Sequence, residues 1–199
     1  MSVNLQKGQK VDLTKGNAGL SKLMVGLGWD AAVPEKRGFF FKSQVSAEID
    51  CDASVLMCDE NDKVRDKTDI VYFGNLKHKS QAVTHLGDNL TGDGDGDDEQ
   101  ILVDLSKIPG NYQKLVFVVN IYQAQQRKQH FGMIKNAYIR IVSGDNNAEL
   151  AKFNLSDDYQ DMTAMIMGEV YRHQGEWKFS AIGQATRDGS LQEVLGRYI

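Results

Sequence analysis

The chain has 199 residues, 41% of them hydrophobic and 25% charged, with a formal net charge of −4. That size suits one large β domain or two small ones, the composition supports an ordinary buried core, and no run approaches the ~20 apolar residues of a membrane-spanning helix. The acidity is local: Asp88, Asp93, Asp95, Asp97, Asp98 and Glu99 carry −6 and leave the remainder at +2, which gives little reason to expect a nucleic-acid partner.

The first twenty residues carry scattered Lys and Gln and no apolar stretch, so no secretory leader is expected. "LSKLMVGLGWD" then places Leu23, Val25, Leu27 and Trp29 on one face at period two, the pattern of a half-buried strand. "SAEIDCDASVLMC" repeats it with Ala47, Ile49, Cys51, Ala53, Val55 and Met57. Its two cysteines, Cys51 and Cys58, are seven residues apart in one strand, roughly 23 Å, too far to pair with each other. Two reduced thiols suit a cytoplasmic protein.

"NDKVRDKTD" reads as a polar hairpin turn, and "KTDIVYF", "EQILVDL", "QKLVFVVNIY", "KNAYIRIV" and "AELAKFNL" read as further strands. "AQQRKQHFGMI" is expected to form a short helical connection. "AMIMGEVYRHQGEWKFSAIG" reads as a hairpin turning at Gly175, with Val170, Tyr171, Trp177 and Phe179 on its arms. In "SLQEVLGRYI", Ser190 and Glu193 have capping-box spacing and Leu191, Val194, Leu195 and Tyr198 form one apolar stripe, so a C-terminal helix docked on the body is expected. The expected fold is mainly β: an antiparallel two-sheet β-sandwich with short helical connections and a C-terminal helix, a single domain whose body spans about 1–184 with 185–199 as a helical extension.

"GDNLTGDGDGDDEQ" holds six carboxylates with no Lys or Arg among them, an arrangement that like-charge repulsion disfavours unless the loop is simply solvated or a cation belongs there. Calcium takes six to eight oxygens, and carboxylates alternating with glycines let several converge on one point. The stretch is no EF-hand: from Asp93 the sixth position is Asp98 instead of Gly, the twelfth is Asp104 instead of Glu, and the flanks read as strands. Asp50 and Asp52 project from one strand face, and Asp30 ends a strand whose Gly26 and Gly28 share its face and permit close approach of a backbone or an ion. These three acids are candidates to complete one or two cation sites with the loop, against a merely solvated acidic loop and an outward-facing pair of Asp. Zinc is disfavoured because His78, His85, His130 and His173 show no ligand spacing, and magnesium prefers fewer protein ligands.

"VGLGWD" (25–30), "DCDAS" (50–54), "VTHLGDNLTGDGDGDDE" (83–99), "FVVNIY" (117–122) and "GEVYRHQGEWKFSAIGQ" (168–184) resemble the TerD-domain family of bacterial tellurium-resistance and stress proteins, in the family's order. The resemblance implies a calcium-binding β-sandwich, here with two calcium ions, and places Asp30, Asp50, Asp52, Asp88, Asp93, Asp95, Asp97, Asp98 and Glu99 at matching motif positions, with Asn89 and Asn75 both weaker ligand candidates and each more a turn residue. It also implies a cytoplasmic stress role among other stress or tellurite-resistance proteins, in an assembly near a membrane. Gly74 and the ending "GQATRDGSLQEVLGRYI" depart from the family pattern.

No Ser–His–Asp arrangement, phosphate loop or Cys/His cluster stands out, so no catalysis is expected. His85 is the one candidate for proton transfer, against a packed and hydrogen-bonded histidine. Tyr171, His173 and Trp177 read as cross-strand packing. The preferred reading is a calcium-ordered interaction module; the alternatives are a calcium-dependent binder of a small anion or lipid headgroup, and a purely structural calcium.

Overall fold

The computed structural model describes residues 2–31, 49–87, 96–155, 157 and 159–199. In chain order the elements are β1 (Val3–Leu5), β2 (Lys10–Asp12), β3 (Lys22–Ala31), β4 (Cys51–Cys58), β5 (Ile70–Val71), β6 (Val83–His85), β7 (Glu99–Asp104), β8 (Lys114–Ile121), α1 (Ala124–Arg127), β9 (Ile134–Ser143), β10 (Glu149–Asn154), β11 (Ala164–His173), β12 (Glu176–Thr186) and α2 (Leu191–Leu195). They form two six-stranded sheets, the first ordered β1-β10-β9-β3-β7-β6 and the second β2-β12-β11-β8-β4-β5. Every neighbour pair is antiparallel except β1 with β10.

The alternation read from the sequence is the packing code. Leu23, Val25, Leu27 and Trp29 of β3 face Cys51, Ala53, Val55 and Met57 of β4 across the core, with Phe117 and Phe179 fully buried between the sheets. β4 and β8 are buried along nearly their whole lengths because the second sheet is covered on its other face as well. There Leu56, Cys58, Val116, Val118 and Ile166 pack against Val194 and Leu195 of α2, and each such side chain contributes about 1.5–3 kcal/mol on full burial. Ser190 caps this helix by accepting from Glu193 N at 3.3 Å, while the Glu193 carboxylate accepts from Gly189 N at 2.9 Å. The β11–β12 hairpin turns through Gln174 and Gly175, both in the left-handed region with φ of 53° and 83°, as a two-residue mirror-image turn requires.

One local reading differs from the sequence, and three strands carry no pattern to read. β1, β2 and β6 are three-residue strands, too short to present a period. "KTDIVYF" gives only the two residues of β5, because Lys67–Asp69 turn as a short 3-10 helix: the Asp66 side chain accepts from Thr68 N at 2.8 Å and the Asp69 side chain accepts from Asp66 N at 3.1 Å. Asn75 is a turn residue, donating through Nδ2 to the Ile70 carbonyl at 2.7 Å.

Candidate metal centre

The described acidic motif residues collect at one end of the sandwich, where β3 finishes, β4 and β7 begin, and β8 runs into α1. Three consecutive acids there have three different fates. Glu99 points inward and is 2% exposed; its Oε2 accepts from Ala53 N at 2.7 Å, on the stretch of β4 that β5, paired only at Val55 and Leu56, leaves uncovered. His85 Nε2 lies 3.2 Å from the same oxygen, and Gly87 N donates to His85 Nδ1 at 3.1 Å, so the ring proton sits on Nε2 and is directed at Glu99. Asp98 is joined to β3: its N donates to the Leu27 carbonyl at 2.8 Å and its Oδ2 accepts from Trp29 N at 2.6 Å.

Asp97 turns the other way, onto the outer face of the first sheet. Arg140 grips it with both arms of the guanidinium, Nε to Oδ1 at 2.7 Å and Nη2 to Oδ2 at 2.9 Å. The Tyr138 hydroxyl lies 2.7 Å from the Gly96 carbonyl and 3.0 Å from Asp97 Oδ1, and Gln100 Nε2 donates to Oδ2 at 3.2 Å. Burial and then the Asp97 charge push the Tyr138 hydroxyl pKa up, and the hydrogen bond to Asp97 raises that of Arg140. Gly26 and Gly28 explain themselves here: a Cβ at Gly26 would collide with the Asp97 carboxylate, and one at Gly28 with the Tyr138 ring. The close approach read from "GLGWD" is made by a carboxylate and a phenol ring of the chain itself.

Asp50 and Asp52 share the outward face of the second sheet, since Cys51 and Ala53 between and beside them face the core. Asp52 is 7% exposed and faces Asn120 in register on β8, whose Nδ2 donates to Asp52 Oδ2 at 3.4 Å. Asn120 Oδ1 is buried with no hydrogen-bond partner among the described residues. The Asp50 main-chain oxygen accepts from Tyr122 N at 2.8 Å, and its carboxylate lies 3.8 Å from Arg127 Nη1. Asp30 is exposed and accepts from Asn136 Nδ2 at 2.6 Å, at a bulge where β9 carries an extra residue against β3 and Asn136 takes a φ of 54°.

Cys51 is buried at this end of β4. Burial pushes its thiol pKa well up, and the negative charges of Asp52, Glu99, Asp50 and Asp98 all act in the same direction. Those four acids share the end of the sandwich at which Cys51 is buried. Asp88, Asn89, Asp93 and Asp95 lie outside the described residues. Among the described residues, no group of three or more His, Cys, Asp or Glu side chains forms a metal cage by itself. The donor set is all oxygen, as a hard cation requires, and the orphaned Asn120 carbonyl oxygen adds a neutral donor of the same kind; the residues fit calcium.

Sequence reading missed Asn120, Arg127 and Arg140. An Asn inside the apolar run "LVFVVNI" was a usable signal, because a buried amide needs partners. A further buried acid lies elsewhere: Asp69 Oδ1 accepts from the Tyr112 hydroxyl at 2.7 Å, with Lys79 Nζ at 3.0 Å and His78 Nε2 at 3.5 Å. At the hairpin, Trp177 stands opposite Arg172 and stacks on it at 4.5 Å, while Tyr171 stands opposite Lys178 and takes Lys10 at 5.6 Å, so the rings pack on cations instead of forming the aromatic cross-strand patch expected with His173. No helix among the described residues is long and apolar enough to cross a membrane.

The family model described as TerD domain matches residues 1–198. The stress response protein SCP2 of Bacillus subtilis (strain 168) is 57% identical over 201 residues, covering 100% of both chains. The tellurium resistance protein TerD of Serratia marcescens is 43% identical over 198 residues, covering 100% of this chain and 97% of its own. The solved structure of a homologue of the telluride resistance protein from Streptomyces coelicolor A3(2) shares the fold, with a TM-score of 0.61 at 18% identity over 88% of this chain and 98% of that one.

Proposed function

This chain belongs to the TerD-domain family, and from that premise we propose that it is a non-catalytic calcium-binding stress module of the tellurium-resistance type. The observation that carries the reading is Asn120 Oδ1, buried beside Asp52 with no hydrogen-bond partner among the described residues, at the end of the sandwich that also holds Asp50, Asp98 and Glu99. Oxygen donors pressed together at the end of a sandwich repel one another, and a divalent cation is the most direct relief of that repulsion. Asp50, Asp52, Asp98, Glu99 and Asn120 would hold the ion on the described side, with Asp30 at the margin and Asp88, Asn89, Asp93 and Asp95 as the further donors of the acidic loop. Asp97 serves the site at one remove, by fixing the chain at Gly96–Asp97 against the first sheet through Arg140 and Tyr138.

Calcium held there would supply charge neutralisation, and the neutralised surface would meet a partner protein. A cytoplasmic sensor of this kind needs an affinity on the order of 10⁻⁷–10⁻⁵ M. Direct thiol chemistry with an oxyanion is the weaker reading, because burial first and the surrounding acids next hold both thiols protonated, Cys58 being pushed up to about 12. The test is calorimetric calcium titration of metal-stripped protein and of Asp52→Asn. Micromolar binding in the wild type that weakens at least tenfold in the variant supports the reading; millimolar binding indifferent to the substitution overturns it.

A further inference from the structure

Two arginines stand against acids at this end of the molecule, and they hold them differently. Arg140 makes a two-armed grip on Asp97, whereas Arg127 approaches Asp50 with one nitrogen, Nη1, at 3.8 Å. Arg127 also has a second resting place: its guanidinium lies 5.1 Å from the centre of the Tyr122 ring. The same tyrosine ties its segment to the same acid, since Tyr122 N donates to the Asp50 main-chain oxygen at 2.8 Å. Arg127 closes the four-residue α1, which has left-handed non-glycine residues at both ends, Gln123 at φ 51° and Lys128 at φ 53°. Buried Ala124, whose carbonyl accepts from Gln129 N at 2.9 Å, anchors that segment and fixes where Arg127 emerges.

Resting on the calcium reading above, we propose that Arg127 is the displaceable counter-ion of the site: it neutralises Asp50 when the metal is absent, competes with calcium for that carboxylate, and so sets the affinity. A cation entering among Asp50, Asp52, Asp98 and Glu99 repels the guanidinium, and the loose single contact gives way where a bidentate pair would not. The freed guanidinium remains on the Tyr122 ring, close enough to return when the metal leaves. Arg140, committed to Asp97, takes no part in the exchange.

The experiment compares calcium affinity in wild type, Arg127→Gln and Lys128→Gln, the last removing one positive charge from the adjacent exposed position. Arg127→Gln is expected to bind calcium roughly two- to fivefold more tightly, the scale of one exposed ion pair, and Lys128→Gln to stay close to wild type. A second readout follows the Arg127 Nε–H resonance by nuclear magnetic resonance, which is expected to shift as calcium saturates and to return on chelation. Equal tightening in both variants means a diffuse charge effect and overturns the proposal, as does Arg127→Gln binding like wild type or a resonance that calcium leaves in place. If the wild type binds no calcium the underlying reading falls with it; if it binds and Arg127→Gln is silent, only the counter-ion role is lost.

Discussion

Asp97 and Asp50 are both acids of the family motifs and both meet an arginine, yet they belong to different regions of the molecule. Asp97 sits on the outer face of the first sheet with a fully covered side chain, a bidentate guanidinium, a neighbouring phenol and a glycine beneath it. Asp50 sits just before β4, at the end of the second sheet, with Arg127 Nη1 3.8 Å from its carboxylate. The first arrangement consumes a carboxylate for architecture, and the second holds its arginine only at ion-pair distance, where an entering cation has most to offer. Motif membership alone does not distinguish the two; the partners do.

The largest effect is expected from breaking the architectural side. In Gly26→Ala the new Cβ displaces a carboxylate that Arg140 holds in place, combining overpacking with a buried charge pulled off its partner, and should cost about 3–4 kcal/mol by urea denaturation. Arg140→Gln removes the grip without the collision; with Arg140 itself part-exposed, about 2 kcal/mol is expected by the same measurement. A loss below about 0.5 kcal/mol in both would mean that Asp97 is not structural and would return it to the list of ligands.

Asp69 extends the comparison to a third acid, also fully partnered. Burial pushes its pKa up, but hydrogen bonds from Tyr112, Lys79 and His78 outweigh that and leave it below the ordinary carboxylate value. A carboxyl with a depressed folded pKa adds stability above its unfolded value, near pH 4, and loses it as pH falls through the folded value. Tyr112→Phe should therefore cost about 1 kcal/mol at pH 7 and progressively less below pH 4, read from urea midpoints across that range. A deficit that stays constant with pH would show packing loss instead. The smallest expected change is none: at pH 8, Cys51 and Cys58 should resist a thiol reagent in the folded protein and both react in denaturant, and rapid labelling of native Cys51 would break the picture of a sulfur sealed beneath acids.

Much of the fold was legible because burial writes itself into period two: β3, the β11–β12 hairpin and the apolar stripe of α2 all carry the pattern they pack with. β4 and β8 were legible as strands but their second covered face was not, since that depends on where α2 docks. In the site, alternation alone misplaces Asp97. Glu99, Ile101 and Val103 face inward, so strict alternation carries Asp97 inward too, but the chain turns at Gly96, whose φ is 136°, and Asp97 swings to the outer face. The glycines of "GLGWD" signalled a close approach, but of a backbone or an ion, whereas a carboxylate and a phenol ring occupy the space. Long-range partners such as Arg140, 43 residues from Asp97, and Glu99, 46 residues from Ala53, leave no local pattern to read.

The central claim is that a cation binds among Asp50, Asp52, Asp98 and Glu99, beside Trp29, whose backbone N is bonded to Asp98. Terbium, a hard trivalent stand-in for calcium, luminesces when a nearby indole passes it excitation energy, and so reports location as well as binding. The second indole, Trp177, lies on β12 nine residues from Thr186, which shares a cross-strand row with Ala164, Asn120 and Asp52, so it sits about 30 Å from the site. Sensitised terbium emission that calcium competes away, that survives Trp177→Phe and that disappears in Trp29→Phe is the predicted result. Emission that depends on Trp177, or none in a protein whose fold is intact, would contradict the account.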